Sequence, residues 1–490
     1  MPEQESIGFF DAILARMIPD WLANAVDVWA GSGFIVGVVV GIVVGIVTAV
    51  VGLRLPPSGA SVRRYPFWTL PALAAVILAL VGIRALIPGP NGDAARPVAG
   101  APASEPDIRR SVSSAYYTFT LTLHTALVPP PDRRRAGGSL APLGDGFLLV
   151  TATGEFYRLS WEPGANALRS DRLSLSAPFN RGALFEAAGD VVADRFRITD
   201  LLVDDRGDAT RVYVAHHHWD SRANCVSLRV SSTVLPAAGG SPDQSTRWNT
   251  LFDSQPCLAV GKMWPNEAIR SGGRLARHDL GLLLSVGDHG FDGLSDPAGV
   301  VSFPQAADAS YGKILLLEMG GGGAVPFSIG YRNPQGLIVD NQDRVWSTEQ
   351  GPEGGDELNL VVRGGNYGWP LATYGTDYER DVWPLALNPR NHGRFREPAL
   401  AFVPSVAPSD LLQVSSKYLP RWSDDLLLGS LDAGMLFRVR TTGNDIVYTE
   451  GIDLSMRIRD LAEGQDGRIL IWNDDGQVAS LVLAREASDR

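Results

Sequence analysis

Six times along this chain a short apolar run introduces a pair of β-favouring segments. The runs are FLLVT from Phe147, RVYVA from Arg211, GLLLS from Gly281, RVWS from Arg344, LLLGS from Leu426 and RILIW from Arg468. In three of them Gly154, Gly434 and Gly476 make the turn into the alternating segments EFYRLSW, MLFRVR and QVASLVL. Runs this short and this rich in Val, Ile, Leu and Phe read as buried strands, and no long amphipathic helix separates them. Their mean spacing of about sixty-five residues suits four-stranded units joined by long loops. A β-sandwich uses similar strands, but six like hairpins in series favour a closed ring. The predicted fold is therefore an all-β, six-bladed β-propeller over residues 116–485.

The first hundred residues follow a different pattern. Phe9, Phe10, Ile13, Leu14, Met17, Ile18, Trp21 and Leu22 recur at helical spacing within residues 1–30. They suit an amphipathic helix at a membrane interface, or equally a helix packed on the chain's own domain. Gly33 to Leu53 then runs without a charge, and Phe67 to Pro88 carries only Arg84 near its end. Each is long enough to span a bilayer, so two transmembrane α-helices are expected, at 31–54 and 67–88. Gly33, Gly37, Gly41 and Gly45 share one face of the first, where a second helix can approach closely. Arg54, Arg63 and Arg64 lie between the spans with no acid beside them, which puts that loop in the cytoplasm. The large domain is then extracytoplasmic, on the periplasmic side of an inner membrane. A Pro/Ala-rich tether over 89–115 separates it from the spans.

Charge narrows the function. The net charge is −11 and no basic stripe is present, which excludes nucleic acid as a partner. The two cysteines, Cys225 and Cys257, fall in one repeat, where an oxidising compartment allows a bridge and a reducing one leaves two thiols.

The densest chemistry lies between Pro326 and Pro370. Arg332, Asn333 and Gln335 stand together in RNPQG, read as a loop bounded by Gly and Pro, and suit an anionic, carbonyl-rich ligand. EQGP with an acidic DE pair follows, then GGNYGWP. These three motifs, in this order and spacing, resemble the glucose/sorbosone dehydrogenase family of quinoprotein sugar dehydrogenases. A weaker likeness extends from about Arg197 to Leu483. The resemblance implies a six-bladed propeller that binds pyrroloquinoline quinone (PQQ) and Ca2+ and oxidises an aldose or related alcohol. A quinone or cytochrome would then be the electron acceptor.

Carried over residue by residue, it implies that Arg332, Asn333, Arg457, Arg459 and Ser405 hold the cofactor. The main-chain carbonyls of Gly351 and Pro352 would hold the calcium. Asp356 and Glu357 match the family's acidic pair without an assigned metal role. Two positions depart from the pattern. Arg270 stands where the family has its catalytic histidine, four residues before the arginine of Gly273-Arg274-Leu275, although the supporting aspartate remains as Asp288. Asp432 stands where the family has a cofactor-contacting lysine. Arginine stays protonated and cannot abstract a proton. Neighbouring His289 is expected to point away from Asp288. His216, His218 and Asp220 share a strand face that reads as a mouth wall rather than a metal set. Two functions remain: a PQQ-dependent sugar dehydrogenase using Arg270 and Asp288 at its catalytic position, or a non-catalytic propeller that binds PQQ or sugar as a sensor.

Overall fold

The chain divides into Met1–Gly100 and Ala101–Arg490. The computed structural model describes residues 107–129, 137–164, 166–189, 195–206, 209–235, 246–265, 269–294 and 302–486, all in the second unit. The two expected spans, the segment before them and most of the tether lie outside the described residues. Among the described residues no helix is long and apolar enough to cross a membrane.

Six antiparallel sheets follow one another. Blade 1 comprises Gly138–Leu143, Gly146–Thr151, Glu155–Trp161 and Leu168–Ser176. Blade 2 comprises Ile198–Asp204, Arg211–Asp220, Cys225–Val234 and Asn249–Asp253, with the short Leu258–Ala259 beside its third strand. Blade 3 is Gly272–His278, Gly281–Val286, Lys313–Leu317 and Ala324–Ile329. Blade 4 is Pro334–Val339, Val345–Glu349, Asp356–Val361 and Leu400–Phe402. Blade 5 is Pro408–Gln413, Leu426–Ser430, Met435–Thr442 and Asp445–Asp453. Blade 6 takes Ile458–Glu463, Ile469–Asn473 and Val478–Glu486 from the C-terminal end, and Tyr117–His124 and Ile108–Ser113 from the N-terminal end. The first strand of each blade packs beside that of the next, and blade 6 beside blade 1, which closes the ring.

Each apolar run read from the sequence is the second strand of one blade. Gly146–Thr151 and Gly281–Val286 are buried at every position, so neither face meets water. This is why they are continuously apolar rather than alternating. One boundary differs from expectation: Ile108–Ser113 is a strand although it falls in the stretch read as tether. Its IRRSVS sequence is mostly exposed, as an outermost edge strand allows, so it carries little hydrophobic signal. The closing hairpin is anchored by aromatic packing. Trp422 lies 5.5 Å from the ring of Tyr117 and 5.2 Å from that of Phe119.

The blades are tied at the axis by one repeated device. Asp200, Asp410 and Asp460 each follow a Thr, Ser or Arg and precede a Leu on a first strand. Their carboxylates accept the backbone N–H of the next blade, from Leu275 at 2.6 Å, Leu461 at 2.7 Å and Leu140 at 2.6 Å. The buried Arg274 guanidinium sits among them, 2.9 Å from Asp200, 2.6 Å from Asp460 and 3.7 Å from Asp410.

Candidate functional site

First strands begin at one end of the ring, and the residues just before and at those beginnings form its mouth. Arg197, Arg270, Arg332, Ser405, Arg457 and Arg459 all occupy such positions, on blades 2, 3, 4, 5 and 6. Gln335 differs from its reading as a loop residue, because the strand of blade 4 already begins at Pro334.

Arg332 is 5% exposed. Its Nη1 donates to the carbonyl oxygens of Gln350, at 3.1 Å, and of Gly351; its Nη2 lies 3.5 Å from the Tyr378 hydroxyl. The guanidinium stands over the Trp369 ring at 5.7 Å. No carboxylate of the described residues is within ion-pair distance of it, and its buried Nε has no hydrogen-bond acceptor. A buried guanidinium bonded only to neutral oxygens keeps most of its charge for an incoming anion. Asn333 plays a more structural part. Its Oδ1 accepts from Gly272 N at 3.2 Å and from Gln335 Nε2 at 2.8 Å, and its Nδ2 donates to Gln350 at 2.9 Å. It stitches blade 3 to blade 4, and Gly272 fits there with a φ of +60°.

Arg270 and Asp288 do come together, but as part of an ion-paired cluster. Arg270 Nη1 lies 3.2 Å from Asp292 Oδ2 and 3.8 Å from Asp288 Oδ2. Trp369 Nε1 donates to the same Asp288 oxygen at 2.8 Å, and Gly290 N to the other oxygen at 2.8 Å. Burial pushes the Asp288 carboxyl up to about 6, against the pull of Arg270. His289 turns into left-handed backbone at a φ of 51°. Its ring packs at 6.0 Å from both Trp264 and His217 and at 5.3 Å from Tyr311. His216 is buried against Ser231 at 3.0 Å, and the Asp220 carboxylate caps its own hairpin through Arg222 N at 2.8 Å.

On blade 6 the two arginines share a carboxylate. Arg459 Nη2 lies 2.6 Å from Asp474 and Arg457 Nε 3.0 Å from it, while Arg457 Nη1 also meets Asp432 at 3.1 Å. Arg459 lines a small pit over the axis with Arg197, Gln335 and Gly272. Asp432, read as a lost cation, thus pairs with one of the arginines expected to grip the cofactor.

The remaining loops are clamped by Asp356. Its Oδ2 accepts Val406 N and Ala407 N, both at 2.7 Å, and its Oδ1 accepts Gly351 N at 2.9 Å and Ser405 Oγ at 3.2 Å. This carboxylate fixes the GPEGG and SVAP loops against each other. Glu357 instead meets buried His392 at 2.9 Å. The two carbonyls expected to hold calcium already face donors. Gly351 O accepts from Arg332, and Pro352 O lies 3.4 Å from Ser405 Oγ. That arrangement does not fit a metal unless Arg332 withdraws, and no chemical step is assigned to calcium. PQQ fits better, because buried Arg332 has no carboxylate partner among the described residues and keeps an Nε without an acceptor, which suits an anionic group.

Arg197, Asp292 and Asp474 escaped the sequence reading, whereas Trp369 stood in GGNYGWP and Asp356 in the acidic pair, each without a role. Arg197 had a signal: Arg197-Ile-Thr-Asp-Leu and Arg457-Ile-Arg-Asp-Leu are the same motif in two blades. The pairing of Arg270 with Asp292 had none, and neither had the bond from Trp369 to Asp288, since these residues come from separate loops.

A family model for Glucose / Sorbosone dehydrogenase matches residues 198–482. The aldose sugar dehydrogenase of Escherichia coli is 29% identical over 238 residues, 47% of this chain and 62% of that protein. Quinoprotein glucose dehydrogenase B of Acinetobacter calcoaceticus is 25% identical over 242 residues, 34% of this chain and 51% of that protein. The chain thus spans less than two thirds of either relative. The crystal structure of the apo-form of the soluble E. coli aldose sugar dehydrogenase superposes with a TM-score of 0.57 at 24% identity. It covers 71% of this chain and 96% of that one, a likeness of fold.

Proposed function

Because the chain belongs to the glucose/sorbosone dehydrogenase family, whose named relatives are sugar dehydrogenases, we propose that it is a PQQ-binding oxidoreductase acting on a CH–OH group of an aldose. The observation that carries this reading is Arg332: a buried guanidinium at the propeller mouth, bonded to neutral oxygens and left with charge for an anionic ligand. Arg459 and Arg457 flank the mouth from blade 6, where a second carboxylate of the cofactor would compete with Asp474. Bound PQQ supplies a two-electron acceptor. The chain's own residues then orient it through Arg332 and keep Asp288 fixed by Trp369 and Gly290. Asp288, rather than Arg270, is the group at this position able to accept a proton. We further propose that the propeller lies outside the cytoplasm, anchored by the two N-terminal spans, and passes electrons to a quinone or cytochrome. The Cys225–Cys257 bridge supports an oxidising compartment.

One observation favours a second reading. Arg270 fills the place of a base and is held by Asp292 and Asp288, which suits a site that binds without turning over. The two are separated by reconstituting the full-length protein with PQQ, with and without Ca2+, and adding aldoses with a dye acceptor. Bleaching supports the oxidoreductase; cofactor binding without bleaching supports the binding module.

A further inference from the structure

Beside the mouth a cavity of about 800 Å³ opens between the blade 4 loop and the segment that leads into blade 5. Tyr378 and Val403 form its apolar wall and are 66% and 69% exposed. Glu353, Asp377, Glu379 and Asp381 line it against only two guanidinium groups, Arg380 and Arg390. The wall is built rather than slack. Glu353 and Thr376 exchange both backbone hydrogen bonds, at 3.1 and 2.8 Å, and the Asp377 carboxylate accepts Glu379 N at 2.9 Å. Tyr374, also in the lining, donates to Glu397 at 2.7 Å and stacks on His392 at 5.3 Å. The cavity is also continuous with the mouth. The Tyr378 hydroxyl is 3.5 Å from Arg332 Nη2, and Val403-Pro404 lead directly to Ser405.

An exposed aromatic face ringed by carboxylates is the chemistry that receives a pyranose. The ring takes the apolar C–H face and the carboxylates accept from hydroxyl groups. The excess of carboxylates repels anionic sugars, and the volume lies at the upper end of small-ligand sites, more than one monosaccharide needs. We propose that this cavity is a distal subsite for a neutral sugar unit, so that the substrate is an oligosaccharide whose end enters the mouth. The proposal rests on the sugar-oxidising reading above.

The test is a calorimetric titration of the full-length protein without cofactor, in a detergent that has no sugar headgroup. The probes are glucose, maltotetraose, cellotetraose and trigalacturonate. At least one neutral tetrasaccharide should bind about tenfold or more tightly than glucose, a difference of about 1.4 kcal/mol. Trigalacturonate should bind more weakly than that tetrasaccharide. Tyr378→Ala should erase the advantage, and Tyr378→Phe should keep it. Equal binding of glucose and both tetrasaccharides, an advantage that survives Tyr378→Ala, or trigalacturonate as the tightest probe would each overturn the subsite. The cofactor is absent here, so the outcome is separable from the reconstitution assay. Turnover without oligosaccharide preference removes the subsite alone, and oligosaccharide binding without turnover removes the oxidising role alone.

Discussion

Arg270 is one side of a buried cluster, and any test of its role has to respect its partners. Replacing it alone removes the guanidinium 3.2 Å from Asp292, and breaking a buried pair costs about 3–5 kcal/mol. The informative variant is Arg270→His together with Asp292→Asn, which puts an imidazole near Asp288 and leaves no orphaned charge. If the chain has lost only its base, turnover with PQQ should rise by about 10²-fold or more. A fall in turnover would show that Arg270 itself serves the reaction. A second residue-scale prediction concerns the axial cluster. Burial pushes the Asp200 carboxyl up to about 6 and the Asp410 carboxyl well above its ordinary value, Arg274 offsetting only part of this. The folded state therefore holds protons that the unfolded chain releases. That contribution is fully present below the unfolded value, near 4, and is lost as pH rises through the raised folded values. Asp410→Asn should then be more favourable at pH 8 than at pH 5 by about 1–3 kcal/mol in denaturant unfolding. The same loss at both pH values would mean that Asp410 is ionised and worth its pairing with Arg274. These residues also mark the limit of sequence reading. Arg332, Arg459 and Ser405 stood in motifs and came out at the mouth. The groups that pair with Arg270 and Arg459 and lie under Arg332, namely Asp292, Asp474 and Trp369, are supplied by loops whose meeting depends on the closed ring.

Among the elements, the second strands were legible because burial on both faces makes them continuously apolar, as in Leu426–Ser430. Edge strands were not, and Ile108–Ser113 shows why: its mostly exposed arginines and serines are what an unpaired edge requires and also what a tether looks like. Gln335 was misplaced for a related reason, since Pro334 reads as a turn residue but is tolerated at the first position of a strand. The cysteine pair was left open by sequence and is bridged in the fold, Cys225 and Cys257 standing 32 residues apart with Cα atoms 5.6 Å from each other. The bridge ties the start of the third strand of blade 2 to the segment carrying Trp264, which packs at 4.8 Å on His217. A loop of this length confines the unfolded chain by about 3–4 kcal/mol. Replacing both cysteines by serine should lower the unfolding free energy by about that amount while the propeller still closes. A loss below about 1 kcal/mol would show that blade 2 is held by its core alone.

At the scale of the whole molecule, the ring explains why one end carries the chemistry. Every first strand starts there, so arginines one or two residues before the first strands of blades 2, 3, 4 and 6 come to the same end although they are far apart in sequence. The chain's closure reinforces this, because Tyr117–His124 from the N-terminal side pairs with Val478–Glu486 and completes the blade that bears Arg457 and Arg459. Phe119 is 1% exposed at this junction, facing Leu483 across the pair. Phe119→Ala should cost about 3–5 kcal/mol and loosen the blade 6 side of the mouth before the other blades, measured by hydrogen exchange resolved along the chain. The proposed compartment follows from a different line of reasoning: Arg54, Arg63 and Arg64 between two charge-poor segments, and a disulfide that persists only where thiols are oxidised. With the loop between the spans in the cytoplasm, the C-terminus belongs on the other side. A fusion after Arg490 to a reporter that is active only in the cytoplasm should therefore stay silent. The same fusion to a reporter that requires export should be active. The reverse pair of signals would put the mouth in the cytoplasm, where glutathione would keep Cys225 and Cys257 reduced and the electron acceptor would have to be sought on that side.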